Sequence, residues 1–251
     1  MFSKELYQSN LRTDFFGREF NYQPHTKSTN IDAWKFVQNG ATYGALVLAD
    51  KQTEGKGRRH NKWTSTPNKS LTFSLILYPK IENLNMLPLL TGISIVRGIH
   101  SSTSIQTGLK WPNDIMLNNK KMGGILIESK QFQGRLSVVV GVGLNINEDI
   151  EDIPQALQDI ANSVFIFSES KYSREEILSH ILNEFETLYN EPLDTIIHLW
   201  NSYCIHKGKE VSFHSEKGEQ RGIFKGISPS GHAKIQSNGQ TRTYPSGIVV
   251  L

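Results

Sequence analysis

Residues 121–146 read KMGGILIESKQFQGRLSVVVGVGLNI, and this stretch decides the fold class. Apolar residues dominate 121–128 and again 136–146, each a strand's length, with polar residues and Gly134 between them. Two such runs around a short polar turn at 131–135 predict an antiparallel pair. Asn118-Asn119, just upstream, suits a tight turn that demands positive φ, so a further hairpin partner precedes the pair.

Working outward, residues 44–49 and 71–78 read as buried strands, the second ended by Pro79, and 109–111 as a short strand stopped by Pro112. Ser28-Thr29-Asn30 opens a helix carrying Ile31, Ala33, Trp34, Phe36 and Val37, which Gly40 closes. Residues 84–101 have helical apolar spacing. Ser173-Arg-Glu-Glu176 is a capping box for a helix to Tyr189, and another helix begins near Pro192 and runs towards Ser202. Residues 1–27 are polar and weakly patterned. Residues 147–168 are irregular and acidic at first, a candidate mobile loop. From Lys207 short strand candidates alternate with Gly218, Gly226, Gly231 and Gly239, the pattern of a small β-barrel. The expectation is an α+β fold with a mixed or antiparallel sheet and flanking helices. Its domains would be residues 1–203 and a small β domain over 204–251.

The 251 residues carry 27 Lys+Arg against 24 Asp+Glu, a net charge of +3. That balance excludes a protein that coats nucleic acid. The lone Cys204 excludes an internal disulfide and has no zinc-type neighbours, which fits a reducing cytoplasm. No run approaches the roughly 20 apolar residues of a membrane span, and Lys4 and Glu5 interrupt any signal peptide. The excess charge is local. Lys51, Lys56, Arg58, Arg59 and Lys62 against Glu54 make residues 51–63 net +4, leaving the remainder near −1.

Four segments could carry chemistry. In 54–63, EGKGRRHNKW, Gly55 and Gly57 free the backbone to face an anion, Arg58 and Arg59 offer planar forks for phosphate, and Trp63 offers a flat face. A solvated basic loop fits its composition equally well. In 110–115, KWPNDI, a strand end carries Lys110, Asn113 and Asp114, either a site or a polar turn. Lys121 opens a strand beside Gly123 and Gly124 and either neutralises an anion or lies on the surface. Gly141 and Gly143 weaken an apolar strand, either for close approach of a flat ligand or for a sheet bend.

Taken in order, Ser28-Thr29-Asn30, Gln52 with GKGRR, KWPND, Lys121 with GGIL and GVGLN resemble the biotin protein ligases from about residue 25 to 147. The resemblance implies a catalytic fold like that of class II aminoacyl-tRNA synthetases, with an SH3-like β-barrel as C-terminal cap. It implies that ATP and biotin form biotinyl-5′-AMP, whose biotinyl group passes to one lysine of a biotin carboxyl carrier domain of a carboxylase. Mg²⁺ would be held by ATP oxygens and water rather than by a metal site in the protein. By matching position, Lys121 and Arg58 are the catalytic cations. Ser28, Thr29, Asn30, Gln52, Gly55, Lys56, Gly57, Lys121 and Gly124 would bind biotin. Arg58, Arg59, Trp63, Lys110, Asn113, Asp114 and Asn145 would bind ATP and the adenylate. The basic loop would close over the ligand and order when the ligand neutralises it.

This chain departs from the family's loop at Lys56, His60 and Asn61, of which His60 reaches positive φ less readily than glycine. It also lacks the arginine that some members carry near the C-terminus. Only 27 residues precede Ser28, too few for the winged-helix repressor domain of some members, so no operator binding is expected. No membrane partner is expected, and the oligomeric state is monomer or homodimer. The same-fold rival is a lipoate ligase or octanoyltransferase. The rival from another class is a nucleic-acid-binding protein using 51–63 as a basic-aromatic patch.

Overall fold

The computed structural model describes residues 2–215 and 218–250. Seven strands form the first sheet: β1 (Phe20–Thr26), β2 (Leu46–Gln52), β3 (Leu71–Leu77), β4 (Gly108–Lys110), β5 (Asp114–Leu117), β6 (Lys120–Phe132) and β7 (Arg135–Leu144). Their order is β1-β2-β3-β7-β6-β5-β4. Only β1 and β2 run parallel; the other neighbours are antiparallel, as the 121–146 pair predicts. Asn118 and Asn119 both adopt positive φ, 50° and 60°, in the β5–β6 turn.

Both faces of this sheet are covered, which explains the continuous apolar runs. Leu46, Leu48, Leu75, Leu77, Val138 and Val140 point to one face. They meet helices α3 (Leu87–Thr103), α5 (Arg174–Tyr189) and α6 (Leu193–Tyr203) in one core. The intervening residues Val47, Ile76 and Val139 point to the other face and pack on Ala33 and Val37 of α2 (Thr29–Gln38). The strict period of two therefore assigns each residue to one of two layers.

The N-terminal 27 residues are more ordered than their polarity predicts. Helix α1 (Lys4–Asn10) packs on α5, and Tyr7 and Phe16 are fully buried. Each such side chain contributes about 2 kcal/mol of burial, although their irregular spacing hides them from a periodicity reading. Residues 81–86 form a 3-10 turn ahead of α3, so that helix starts at Leu87, later than its apolar spacing suggests. The acidic stretch after β7 also folds. Lys69 Nζ reaches Asp149 at 2.8 Å and pairs with Asp152, and a 3-10 turn (Gln155–Leu157) leads to α4 (Val164–Ser168).

The second sheet corrects the barrel expectation. Strands β8 (Glu210–Ser215), β9 (Gly218–Ile227), β10 (Ala233–Ser237), β11 (Gln240–Tyr244) and β12 (Ile248–Val250) lie in the order β11-β10-β9-β8-β12. Among the described residues β12 pairs only with β8 and β11 only with β10, so the sheet is open and no SH3-like barrel forms. Its apolar residues are covered from the first unit instead. Phe213, Phe224, Ile227 and Ile235 belong to the same core as Trp111 and Trp200, and the Phe213 and Trp111 rings lie 5.9 Å apart. Among the described residues no helix is long and apolar enough to cross a membrane.

Candidate active site

Register builds the site. Thr72 of β3 pairs with Gly143 of β7, Gly143 with Gly124 of β6, Gly124 with Asp114 of β5, and Asp114 with Lys110 of β4. These five residues form one rung across the sheet. The next rung is Ser74, Gly141 and Leu126. Both rungs share the α2 face, and their small residues leave a depression where larger neighbours would fill the space. It is a cavity of about 230 Å³.

The start of α2 forms one wall. Thr29 donates to Gln52 Oε1 from its backbone N–H at 2.7 Å and from its hydroxyl at 3.1 Å. The Ser74 hydroxyl lies 2.7 Å from both Thr29 Oγ1 and Asn30 Oδ1. The amide of Asn30 donates to Glu128 at 3.0 Å, and so does Trp34. Ser28 is the helix N-cap, is buried, and makes no side-chain cap bond, so its hydroxyl is available to the cavity it lines. This wall presents hydroxyls and amides without a net charge, chemistry suited to a neutral polar ring.

Residues 55–63 fold into a tight turn over the opening. Gly57 N–H donates to Asn61 O at 2.7 Å and Trp63 N–H to Gly55 O at 2.9 Å. The positive φ in the turn falls on Arg59 (55°), one residue before His60, so this conformation does not ask a left-handed backbone of the histidine. Lys56, Gly57, Arg58, Arg59 and Trp63 all line the cavity. Gly55 does not. It is buried beneath the turn, where a Cβ would press on the Trp63 carbonyl and the Gln52 amide.

The end of the cavity at Lys121 is cationic. Lys121 Nζ lies 2.5 Å from Asp114 Oδ1, and its stem passes over Gly124. Arg58 Nη1 donates to Asn113 Oδ1 at 3.2 Å. Burial, with Arg59 beside it, lowers the pKa of Arg58, while Asp114 opposes that shift. Burial also lowers Lys110, with Asp114 opposing and Lys121 adding to the effect. Asp114 is thus the anion among three cations, the position a bound anionic ligand would compete for. Among the described residues no cluster of three His, Cys, Asp or Glu could hold a metal ion.

Asn145 lies elsewhere. It lines a second cavity of about 390 Å³, whose wall includes Trp63, Lys121, Glu148 and Leu157. Its amide donates to Asn162 O at 3.1 Å. Lys121 borders both cavities, and the segment after β7 grips it: Lys121 N–H donates to Ile160 O and Lys121 O accepts from Asn162 N–H, both at 2.8 Å. Residues 147–168, which the sequence presents as a candidate mobile loop, therefore fix the backbone of Lys121. Sequence reasoning also omits Thr72, Lys62, Trp111 and Gly247–Val249 from the wall. Strand register brings in Thr72, the 55–63 turn Lys62, the β4–β5 turn Trp111, and the second sheet Gly247–Val249.

The two β7 glycines have an explanation that the sequence does not supply. A Cβ on Gly143 would overlap the Trp63 indole, and one on Gly141 would overlap the Asn30 amide. The flat group each glycine admits here belongs to this chain.

Residues 22–147 match the biotin/lipoate A/B protein ligase family, a span that contains every wall residue from Ser28 to Asn145. The chain is 37% identical over 246 residues to the bifunctional ligase/repressor BirA of Bacillus spizizenii, covering 95% of this chain and 76% of that one. The chain belongs to the biotin/lipoate A/B protein ligase family. Its relative in Bacillus subtilis, also a bifunctional ligase/repressor BirA, is 35% identical with the same coverage. The fold of this family member superposes on a biotin protein ligase from Aquifex aeolicus, solved in complex with biotin and ATP, with a TM-score of 0.79. That pair is 28% identical, and the match covers 93% of this chain and 98% of the other.

Proposed function

We propose that the protein is an ATP-dependent biotin protein ligase that forms biotinyl-5′-AMP and transfers biotin to a lysine of a biotin carboxyl carrier domain. The observation that carries this reading is Lys121 bordering both cavities while Arg58 and Lys110 gather around its partner Asp114. One cavity suits a small ligand with a neutral polar ring, the other a nucleotide, and the shared border is where their anionic ends meet.

In the first step a carboxylate oxygen of biotin attacks the α-phosphorus of ATP, and pyrophosphate leaves. Two anions must approach, so repulsion is the barrier. Lys121 and Arg58 act by lowering that repulsion and by stabilising charge that develops on the α-phosphate. Thr29, Gln52 and Ser28 hold the ureido ring at the far end, which fixes the distance of the carboxylate from the phosphorus. Asn30 and Gly124 complete that wall, with Gly55, Lys56 and Gly57 as the segment over it. Trp63 and Asn145 bound the nucleotide side, with Arg59, Lys110, Asn113 and Asp114 at the phosphates.

Mg²⁺ fits this site as an ion delivered with the triphosphate. Among the described residues Asp114 is the one carboxylate on the reaction-cavity wall, with Glu148 and Asp152 on the nucleotide side, and no three of these carboxylates cluster, which matches an ion held otherwise by phosphate oxygens and water. When bound it would neutralise the pyrophosphate. We assign residues 1–203 as the catalytic unit and 204–251 as a cap that lends Gly247–Val249 to the wall. The lone cysteine supports a reducing cytoplasm as the place of action.

The test mixes the protein with labelled biotin, Mg-ATP and a carrier domain. Biotin-dependent pyrophosphate release and labelled carrier are expected. Release that depends on lipoate or octanoate instead of biotin overturns the substrate, and no release with any of them overturns the reaction class.

A further inference from the structure

The neutral wall at the start of α2 is backed by a charge. Glu128 of β6 pairs with Val139 of β7, one rung beyond Leu126 and Gly141 on the α2 face. It stands behind the wall, and no step of the scheme above uses it. One oxygen of its carboxylate, Oε2, accepts from Asn30 Nδ2 and from Trp34 Nε1, both at 3.0 Å. The Lys130 ammonium lies 4.5 Å from the centre of the Trp34 ring, so the indole that holds Glu128 is itself held.

The carboxylate sets the sense of the hydrogen bonds in front of it. A carboxylate accepts and does not donate. Asn30 must therefore turn its NH2 group to Glu128, which leaves its carbonyl oxygen over Gly141 on the cavity floor. That oxygen lies 2.7 Å from the Ser74 hydroxyl and can only accept, so the single Ser74 proton is committed to it. Ser74 Oγ is then an acceptor for Thr29, whose hydroxyl proton is shared between Ser74 at 2.7 Å and Gln52 Oε1 at 3.1 Å. The Thr29 backbone N–H holds the same Gln52 oxygen at 2.7 Å, which leaves the Gln52 NH2 group as a donor. The wall thus offers an acceptor at Asn30 and a donor at Gln52, the pairing that the N–H and the carbonyl of a cyclic urea require.

We propose that Glu128 is a positioning residue for the ring of biotin: it decides which way the Asn30 amide faces, and so whether the wall complements a cyclic urea. The inference deepens the ligase reading of the site and rests on it. Without Glu128 the polar group left behind Asn30 is the Trp34 N–H, a donor, which favours the opposite orientation of the amide. An NH2 group would then meet the ligand's own N–H, and two donors facing each other leave both unpaired. Glu128 acts through Asn30 and lies on the far side of the wall from Lys121 and Arg58. Its effect therefore belongs to the binding of biotin, and not to the binding of ATP or to the rate of the chemical step.

Biotin-dependent ATP–pyrophosphate exchange gives the KM for biotin, the KM for ATP and kcat in one assay. Glu128→Ala is expected to raise the KM for biotin by about tenfold, with the KM for ATP and kcat within about threefold of the parent. Glu128→Gln keeps an acceptor oxygen behind Asn30 and should recover most of that loss. The decisive variant is Asn30→Asp, because an aspartate presents an oxygen to Ser74 whichever way it turns. In the parent it sets two carboxylates against each other and should raise the KM for biotin. Combined with Glu128→Ala it restores the acceptor without Glu128, and should lower the KM for biotin by at least about threefold relative to Glu128→Ala alone. A residue that only supports the fold predicts no such reversal of sign. An unchanged KM for biotin in Glu128→Ala overturns the proposal, as does a parallel change in all three constants or a combined variant no better than Glu128→Ala. Absence of exchange in the unsubstituted protein is a separate outcome: it overturns the ligase reading itself, and with it the identity of the ring.

Discussion

Lys121 and Asp114 form an ion pair 2.5 Å long that closes the rung between β5 and β6. Asp114 occupies the ammonium that the proposed reaction would use for substrate anions, and both partners are partly open to solvent. An arriving carboxylate or phosphate therefore exchanges one anion for another instead of desolvating a free cation. Lys121→Ala is expected to lower adenylation by about two to three orders of magnitude, because its charge acts where the transition-state anion develops. Lys121→Arg should recover little, since the stem that crosses Gly124 carries a wider head. Steady-state kinetics of pyrophosphate release checks both, and near-parental kcat/KM in Lys121→Ala would refute the role.

Gly143→Ala places a methyl group where the Trp63 indole lies. The strand itself accepts alanine, so the cost in stability is that of the displaced indole, about 1–3 kcal/mol. The indole must move, however, and Trp63 borders both the reaction and the nucleotide cavities. Activity should fall by at least about tenfold, since small misplacements near reacting atoms are costly, with a change in tryptophan fluorescence. Unchanged fluorescence with unchanged kinetics would contradict the packing.

Glu148 is buried and lines the nucleotide cavity, with Ser70 donating to its Oε1 at 2.5 Å and no partner for Oε2 among the described residues. Burial pushes its pKa from 4.5 up to about 7. A carboxyl whose pKa rises on folding binds more protons in the native state, so its contribution to stability is full below pH 4.5 and is lost as pH rises to about 7. The shift corresponds to a loss of about 3 kcal/mol across that window. Glu148→Gln should remove this decline and raise the melting temperature at pH 8. Equal slopes of stability against pH in the two proteins would rule it out.

Arg174 of α5 meets Asp50 of β2 at 2.7 Å with both side chains buried, and Tyr22 also donates to Asp50. Asp50→Ala leaves a guanidinium buried without its anion, which should destabilise the fold by about 3–5 kcal/mol. Urea titration measures this. A cost below about 1 kcal/mol would mean that water reaches the pair.

Cys204 Sγ lies 3.5 Å from His206 Nδ1, a spacing that suggests an activated thiol. Burial argues the opposite: it pushes the thiol up to about 11 and the imidazole down to about 3. Both groups are neutral at pH 7. Cys204→Ser should retain full adenylation, and the parent thiol should resist alkylation at pH 8. Fast labelling with loss of activity would contradict this.

The parts of the site legible in the sequence are those whose residue types are unusual for their element. A lysine opening an apolar strand, an arginine pair just after two glycines, and Asn113-Asp114 at a strand end each signal a purpose. The structure brings all of them to one face. Asn145 sits in the GVGLN motif but lines the neighbouring cavity, because β7 ends at Leu144 and the Asn145 amide is held by Asn162 O. Thr72 looks like an ordinary strand residue and becomes a site wall through register alone. The open second sheet was not legible for a similar reason. Five short strands punctuated by glycine have the same pattern whether they close on themselves or, as here, on Trp111 and α6.

The rung from Thr72 to Lys110 means that five separate strands must agree on alignment before the catalytic charges meet. Side chains alternate sides along a strand, so sliding β6 by one residue would bury Lys121 and turn Met122 to the ligand. A misaligned sheet therefore cannot be folded and inactive; it would already be unfolded. The stability of the hydrophobic layers thus doubles as a proofreading step for the geometry of the chemistry. Inserted or deleted residues should be tolerated in the turns, such as Gln133-Gly134, and nowhere along the strands that carry the rung.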